Sequence, residues 1–237
     1  MLWGGREVLS EQGLGFFFST EWNPVENRYG ALVPIFGTLV TSVIALMIAV
    51  PVSFGIAVYL TEVAPVWLRT PVGSAIELLA GIPSIIYGMW GLFVLVPMMT
   101  AYVTPWLNDH LGALPFIGEL FQGPPIGIGL LTAGFVLSIM VIPFISSVMR
   151  EVFLTVPVRL KESAYALGAT RWEVVWNIVL PYTRSAVIGG VFLGLGRALG
   201  ETMAVAYVVG NTVRISASLL EPGTTIAALI ANDFAEA

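Results

Sequence analysis

The chain has 237 residues, of which 57% are hydrophobic and 11% charged, and its formal net charge is −5. A soluble globular chain carries about 45–50% apolar and about 25% charged residues, so this composition excludes a soluble fold and indicates an integral membrane protein. The absence of cysteine excludes disulfides and thiolate chemistry, the single histidine excludes an H-E-x-x-H metal site, and the single lysine, Lys161, follows a leucine and so belongs to no phosphate-binding loop.

Residues 1–30 mix aromatic, glycine and charged residues without a run long enough to cross a membrane. We expect this segment to lie at or outside the membrane interface. It lacks the uninterrupted apolar stretch of a secretory signal, because Glu7, Glu11 and Gln12 break any such stretch.

Long apolar runs then predict four membrane-spanning helices, at residues 31–60, 72–96, 126–149 and 186–209. Each has about twenty residues or more, which is the length that an α-helix needs to cross the hydrocarbon core. The predicted fold class is therefore all-α, a polytopic transmembrane helical bundle, and no separate soluble domain is expected.

The second predicted span contains Gly81 and Pro83, which together favour a break or kink in the helix. Backbone freed in this way is tolerated in a membrane only where protein or a water-filled cavity satisfies it. Residues 97–125 follow as a predicted loop that contains Asp109, His110 and Glu119 and no basic residue.

The segment 150–185 is polar and predicts two helices separated by a bend. Thr155 and Pro157 are typical of the start of the first helix, and Gly168 of its end in a left-handed conformation. Thr170 and Glu173 have the spacing of a capping box, which would start the second helix. On pattern alone, the alternative is an ordinary loop between two spans.

The basic residues indicate how the chain crosses the membrane. Segment 150–185 and the connection 61–71 together hold six of them: Arg69, Arg150, Arg159, Lys161, Arg171 and Arg184. The opposite side holds Arg6, Arg28 and Arg214. The excess predicts that segment 150–185 is cytoplasmic and that both ends of this sequence are outside.

Arg197 and Glu201 are four residues apart in the fourth predicted span and would share one helical face. Charges at that depth are costly and usually face a cavity or a partner. One interpretation is a structural ion pair; the other places the Arg197 guanidinium on the path of an anion, with Glu201 holding it in position. For Glu77, in the second span, a structural partner is the favoured interpretation.

Glycines at G-x-x-x-G spacing precede and include this region, at Gly190 and Gly194 and again at Gly196 and Gly200. Such spacing lets a neighbouring helix pack closely against the span. Close packing alone implies no role in transport.

The segment 150–185 also carries a long motif that resembles the EAA loop of ABC-importer permeases, E-A-A-x3-G-x9-I-x-L-P. The matching residues, with serine at the first alanine position, are Glu162, Ser163, Ala164, Gly168, Ile178, Leu180 and Pro181. The resemblance implies the type I ABC-importer permease fold and a docking helix, 158–168, for a separate ATPase subunit.

Further stretches resemble the PstC-like permeases of phosphate-specific (Pst) importers, and they cover most of the chain: residues 20–24, 29–39, 82–91 and 194–204. The Gly-Arg-Ala-Leu-Gly-Glu-Thr stretch in the last of these is the part that implies phosphate. The resemblance further implies a second, PstA-like permease subunit, a periplasmic or extracellular phosphate-binding protein, location in the cytoplasmic membrane among lipid, and no cofactor, metal, catalytic residue or nucleic-acid partner. It divides the sequence into an external segment, 1–30, and a permease domain, 31–237.

Permeases of this kind have six spans with both ends in the cytoplasm, so the four spans predicted here imply one span before Met1 and another after Ala237. Two alternatives stay open. The transported oxyanion could be sulfate or molybdate, because an arginine alone does not distinguish these from phosphate. A secondary transporter or channel could also use a broken span and buried charges, although it has no need of an EAA-spaced helix pair.

Overall fold

The computed structural model describes residues 13–23, 28–115 and 117–236. Within these ranges the fold is helical, and β pairing is confined to an isolated bridge between Asn23 and Arg28. The predicted all-α class is therefore confirmed. The external segment predicted at 1–30 lies partly outside the described residues, and its position relative to a membrane stays a prediction.

We number the helices in chain order and include in each the π turns that continue it. They are α1, Leu32–Val63; α2, Val66–Ala80; α3, Ser84–His110; α4, Leu130–Leu154; α5, Val158–Ala166; α6, Arg171–Leu199; α7, Met203–Ala206; and α8, Ile226–Glu236. Short 3₁₀ helices occur at Gly13–Phe17 and Gly118–Phe121.

Among the described residues, four helices are long and apolar enough to cross a membrane: α1, α3, α4 and α6. The predicted number of spans is thus confirmed, and the first and third predicted spans agree with α1 and α4 to within a few residues at each end. In the most apolar 18-residue stretch of α4, 61% is buried inside the protein, compared with 22–33% in the corresponding stretches of the other three helices.

The second predicted span was wrong in its extent. The predicted break separates α2 from α3, and α3 then continues to His110 through residues that the sequence indicated as loop. Prolines usually end a helix because they lack an N–H and clash with the preceding turn. Here Pro97 and Pro105 each come just after a π turn, Gly91–Leu95 and Met99–Val103, and the wider turn accommodates the ring.

The fourth predicted span was displaced along the chain. The second helix of the predicted pair is the beginning of α6 itself, and a π turn at Val175–Val179 carries the helix past Pro181. The helix ends at Leu199, before Gly200, whereas the prediction extended the span to residue 209. Glycine weakens a helix, and the residues that follow begin the short helix α7 instead.

The Cα positions form two compact units, the first of which combines the chain up to Ile44 with Ser84–Leu137 and the chain from Leu199 onward. In this unit α3 approaches α7 closely at Gly88, where an added Cβ would be 2.9 Å from the Ala204 Cα. The irregular segment after α7 provides carbonyl acceptors for the N-terminus of α4: Val208 accepts from Gly129 N–H at 3.1 Å, and Leu219 from Leu131 N–H at 2.9 Å.

The second unit consists of Ala45–Pro83 and Ser138–Ala198. Its core is a stripe on α4 with four-residue spacing, each member at most 1% exposed: Val141, Ile145, Met149 and Phe153. Phe153 packs edge-on against Phe54 of α1, with ring centroids 5.8 Å apart. The Ser53 hydroxyl donates a hydrogen bond to the Ile142 carbonyl at 3.1 Å, which ties α1 to α4 a second time.

The glycines of α6 show which of its faces is packed within this unit. A Cβ added at Gly194 would be 2.6 Å from Ile145 Cδ1, and one added at Gly190 would be 3.0 Å from Val148 Cγ1. The predicted close packing at this pair is confirmed, because only glycine leaves room for α4. At Gly196, the first member of the second predicted pair, the corresponding space is open, with nothing within 4 Å.

Candidate functional site

Arg197 lies in the last turn of α6, and its side chain reaches two other helices of the second unit. Its Nη2 donates a hydrogen bond to the Ala80 carbonyl at 3.5 Å, and its guanidinium carbon is 5.5 Å from the centre of the Phe144 ring. Stacking over an aromatic face stabilises a cation by about 0.5–2 kcal/mol, more where water is excluded. The Nε is buried and has no hydrogen-bond partner among the described residues.

The predicted helix break provides one of those contacts. Helix α2 ends at Ala80, and Gly81 follows with φ −88° and ψ −3° before the chain turns through Pro83 into α3. Carbonyl groups in the last turn of a helix have no helical partner, and that of Ala80 receives the Arg197 guanidinium instead. The break predicted at Gly81 and Pro83 is confirmed, and it meets the predicted site residue Arg197.

Glu201 requires a correction. Since α6 ends at Leu199, Glu201 is outside that helix, and its four-residue separation from Arg197 does not place the two side chains on one helical face. Glu201 Oε1 accepts a hydrogen bond from the Ala204 N–H at 3.1 Å, at the start of α7. A carboxylate there stabilises unpaired helical N–H groups, so Glu201 acts as a cap in this structure.

Helix α5 and the bend after it match the predicted geometry closely. Gly168 has φ +91°, a conformation that other residues rarely adopt, and the Ala169 N–H returns to the Ala164 carbonyl at 3.1 Å. The predicted capping box is also confirmed: Thr170 accepts from the Glu173 N–H, and the Glu173 carboxylate accepts from the Thr170 N–H at 2.7 Å.

The predicted N-cap of α5 was wrong. The Thr155 hydroxyl donates to the Val152 carbonyl at 2.7 Å, inside α4, and therefore closes the end of that helix. The N-cap position of α5 is Pro157, which makes no side-chain cap. A threonine directly after a helix can bond back to that helix instead of capping the next one.

The motif residues on α5 point outward. No residue of α5 is buried, Glu162 and Ser163 are exposed, and Ala164 is half-buried. Leu167, at the bend, is 90% exposed. Leu167 is thus an exposed apolar side chain at the tip of a polar helix.

A further residue pair at α5 was missed in the sequence. Lys161 Nζ forms an ion pair with Glu62 Oε1 in the π turn that ends α1, and the two side chains are 14% and 6% exposed. Nothing local links residues 99 positions apart, but both belong to segments that the basic-residue count assigned to one side of the membrane. The pair could have been sought in the sequence by asking which acidic residue on the same side of the membrane could meet the single lysine.

The ion pair borders a cavity of about 390 Å³ whose lining is rich in charged side chains. They include Glu62, Arg69, Lys161, Glu162 and Arg171. Arg69 Nε donates to the Ala64 carbonyl at 2.8 Å and so fixes the connection after α1. Burial, and next the Glu62 carboxylate, raise the pKa of the neighbouring Tyr165 hydroxyl above its ordinary value, so this phenol stays neutral.

Glu77 has the structural partner that the sequence favoured. Its Oε1 is 3.3 Å from Arg150 Nη1, and the same nitrogen is 3.0 Å from Glu151. Gly73 makes room for this contact, because a Cβ there would be 3.0 Å from the Arg150 guanidinium carbon. The cluster ties α2 to the end of α4.

The arrangement can present a fixed cation to an anion, but it offers no acid, base and nucleophile in one place. In the part of the chain that the structure describes, no three histidine, aspartate or glutamate side chains lie close enough to hold a metal ion. A guanidinium such as that of Arg197 can recognise an anion by charge and hydrogen-bond donation.

Comparison with known proteins places these features in context. A family model described as a binding-protein-dependent transport system inner membrane component matches residues 49–231. A solved structure titled "Inward facing conformations of the MetNI methionine ABC transporter" aligns with 75% of this chain and 70% of that chain, at 22% identity and a TM-score of 0.47.

Curated relatives match along the whole chain. The phosphate transport system permease protein PstC of Xylella fastidiosa (strain 9a5c) is 81% identical over 237 residues, which are 100% of this chain and 73% of that protein. The protein of the same name from Pasteurella multocida (strain Pm70) is 59% identical, over 100% of this chain and 74% of its own length. A probable phosphate transport system permease protein PstC of Methanocaldococcus jannaschii is 39% identical, over 97% and 73%.

Proposed function

Because the chain belongs to the family of binding-protein-dependent transport system inner membrane components, we propose that it is the permease subunit of an ATP-driven importer of inorganic phosphate. It is a multi-pass inner-membrane transport subunit of the type I ABC-importer permease class and not an enzyme. The observation that carries phosphate as the substrate is the 81% identity, along the full chain, to a permease named for phosphate transport.

Arg197 is the residue that we assign to the anion path. Its guanidinium is fixed by the Ala80 carbonyl and the Phe144 ring, and its buried Nε has no protein acceptor among the described residues. A cation that is already oriented and incompletely hydrogen-bonded suits a tetrahedral oxyanion, because little has to reorganise when the anion arrives. The Glu201 carboxylate, beyond its hydrogen bond from the Ala204 N–H, is a second residue that we assign to transport.

Replacing Arg197 tests this assignment. We expect Arg197→Met to lose phosphate uptake by tenfold or more, and Arg197→Lys to retain only part of it, since a lysine lacks the planar fork of donors. Uptake of labelled phosphate is measured in cells whose own permease is deleted and whose partner subunits are present. Normal uptake by Arg197→Met, at a normal membrane level of the complex, would place the anion path elsewhere.

Glu201 needs two variants because it is also a cap. Glu201→Gln keeps an oxygen that can accept from the Ala204 N–H and removes the charge, whereas Glu201→Leu removes both. We expect Glu201→Gln to assemble normally and transport poorly, and Glu201→Leu to lose assembly as well. Equal transport by Glu201→Gln and the unmodified protein would reduce Glu201 to its capping role.

Competition identifies the anion. An excess of unlabelled phosphate should suppress uptake, and equal concentrations of sulfate or molybdate should leave it unchanged. If sulfate or molybdate suppressed the uptake of labelled phosphate at concentrations similar to those of unlabelled phosphate, the substrate would be a broader class of oxyanions. Uptake that persists without ATP hydrolysis would instead indicate a secondary transporter.

We assign α5 and its bend to the docking of a separate ATPase subunit, on the cytoplasmic side. Support comes from the exposure of the EAA residues, from Leu167 at the tip and from the excess of basic residues in segment 150–185. The exposed apolar faces of α2 and α6 suit a second permease subunit and lipid, and a phosphate-binding protein delivers the anion from outside.

The side of the membrane can be tested directly because the chain contains no cysteine. A single Leu167→Cys substitution should react with a membrane-impermeant maleimide in inverted vesicles and not in intact cells. Bound ATPase should protect it. Labelling in intact cells would reverse the assigned orientation, and labelling in inverted vesicles without protection would remove α5 from the docking surface.

A further inference from the structure

Helix α5 lacks the usual means by which a helix is held in a protein. It has nine residues, and none of them is buried. A helix this short is marginal in water on its own, and most helices depend on an apolar face packed against the rest of the fold. Something other than apolar packing must therefore set the direction of α5.

The ion pair with Glu62 meets that need. Among the described residues, α5 makes one ion pair, Lys161 with Glu62. Both side chains are almost enclosed, with 14% of Lys161 and 6% of Glu62 exposed. Ser163, by contrast, donates only to the Arg159 carbonyl within α5. An enclosed pair is weakly screened by salt, and removing one partner leaves the other charge buried without compensation.

The acceptor belongs to the end of a membrane-spanning helix. Glu62 is part of the π turn Tyr59–Val63, within the same compact unit as α5. Thr61 Oγ1 donates to the Ala57 carbonyl at 2.9 Å, and Arg69 Nε donates to the Ala64 carbonyl at 2.8 Å, so the backbone on both sides of Glu62 is fixed. The carboxylate is thus a fixed point on α1 to which α5 is attached.

We infer that Glu62 and Lys161 are positioning residues that transmit movement between α5 and α1, an inference that rests on the proposed docking of the ATPase at α5. When the ATPase moves α5, the pair carries that movement to the end of α1. Without it, the ATPase still binds α5 and hydrolyses ATP, but the membrane helices follow less faithfully.

The test uses the complete transporter, with its ATPase, second permease and binding protein, in proteoliposomes. The measured quantity is the number of ATP molecules hydrolysed per inorganic phosphate transported. We expect Glu62→Gln and Lys161→Met each to raise this ratio at least threefold while ATPase co-purification remains near normal. The charge exchange, Glu62→Lys with Lys161→Glu, should return the ratio toward that of the unmodified complex.

Glu77→Gln is the matched control, because it removes a carboxylate from a half-exposed ion pair in the same unit and leaves Arg150 its contact with Glu151. Its ratio should not change. A ratio unchanged in both single variants overturns the inference, and so does a charge exchange that leaves the ratio as high as the single variants.

Poor assembly of the single variants does not stop the test. The charge exchange then decides: recovery of both the yield and the ratio supports the inference, whereas recovery of the yield alone, or of neither, overturns it. Failure of the unmodified complex to transport phosphate at the expense of ATP is a different result, which contradicts the proposed function and not only the role of this pair.

Discussion

Helices α4 and α5 are neighbours in the chain, separated by residues 155–157, yet they are held in opposite ways. The Val141–Phe153 stripe of α4 is completely enclosed, and its position is the sum of many small apolar contacts. Helix α5 has no buried residue, and its enclosed contact with α1 is the Lys161–Glu62 ion pair. Many contacts define a position that tolerates small changes, whereas a single polar attachment gives a position that one substitution can release.

The largest effect on stability is expected from a substitution that disturbs the packing of α6 against α4. Gly194→Val would insert a side chain where a Cβ already comes within 2.6 Å of Ile145, and overpacking of this kind costs about 1–3 kcal/mol. We expect a marked fall in the membrane level of the protein and in its thermal midpoint in detergent. Gly196→Val places the same residue in the same helix, where nothing lies within 4 Å, and should fold normally. Equal losses from both variants would show that helix propensity, and not the α4 contact, is responsible.

A smaller and different effect is expected at the bend after α5. Gly168 has φ +91° with nothing within 4 Å of an added Cβ, so Gly168→Val would strain the backbone by about 1–2 kcal/mol without a clash. ATPase co-purification and coupled uptake should fall, while the thermal midpoint of the permease should hardly move. Gly168→Asn, which tolerates the left-handed region better, is the control. Normal coupling in Gly168→Val would remove the bend from the docking surface.

The smallest effect concerns the capping box at the start of α6. Thr170→Ala removes the acceptor for the Glu173 N–H, and loss of such a cap costs about 1 kcal/mol. Amide hydrogen exchange in residues 171–175 should accelerate several-fold, with exchange in α4 unchanged. Thr170→Ser retains the hydroxyl and should exchange like the unmodified protein. Unchanged exchange in Thr170→Ala would mean that the adjoining helix, and not the cap, protects these amides.

The contrast between α4 and α5 also explains what the sequence could predict. The number of apolar spans, the break at Gly81 and Pro83, the bend at Gly168 and the capping box at Thr170 are consequences of neighbouring residues, and each was confirmed. The limits of the second and fourth spans were wrong. Features that depend on tertiary structure were missed. The Glu62–Lys161 pair joins distant segments, and the Thr155 hydroxyl binds the helix that it follows instead of the one that it precedes.

The error at Glu201 has the same origin. A four-residue separation implies a shared face only while the helix continues, and a glycine such as Gly200 weakens a helix without by itself requiring that α6 stop at Leu199. For Arg197, the sequence indicated a charge that needs a partner. It did not indicate that the partners would be the last carbonyl of α2 and the ring of Phe144, because both are more than fifty positions away.

The π turns in α1, α3 and α6 change how positions along these helices should be compared. A π turn accommodates about one residue more than an α turn, which rotates everything beyond it by about 100° around the helix axis. Helix α3 contains two such turns, at Gly91–Leu95 and Met99–Val103. A scan of solvent accessibility along α3 will therefore follow a helical repeat up to Trp90 and then change phase twice before His110. Fitting one uninterrupted wheel to the whole helix would assign opposite surroundings to residues that line the same side.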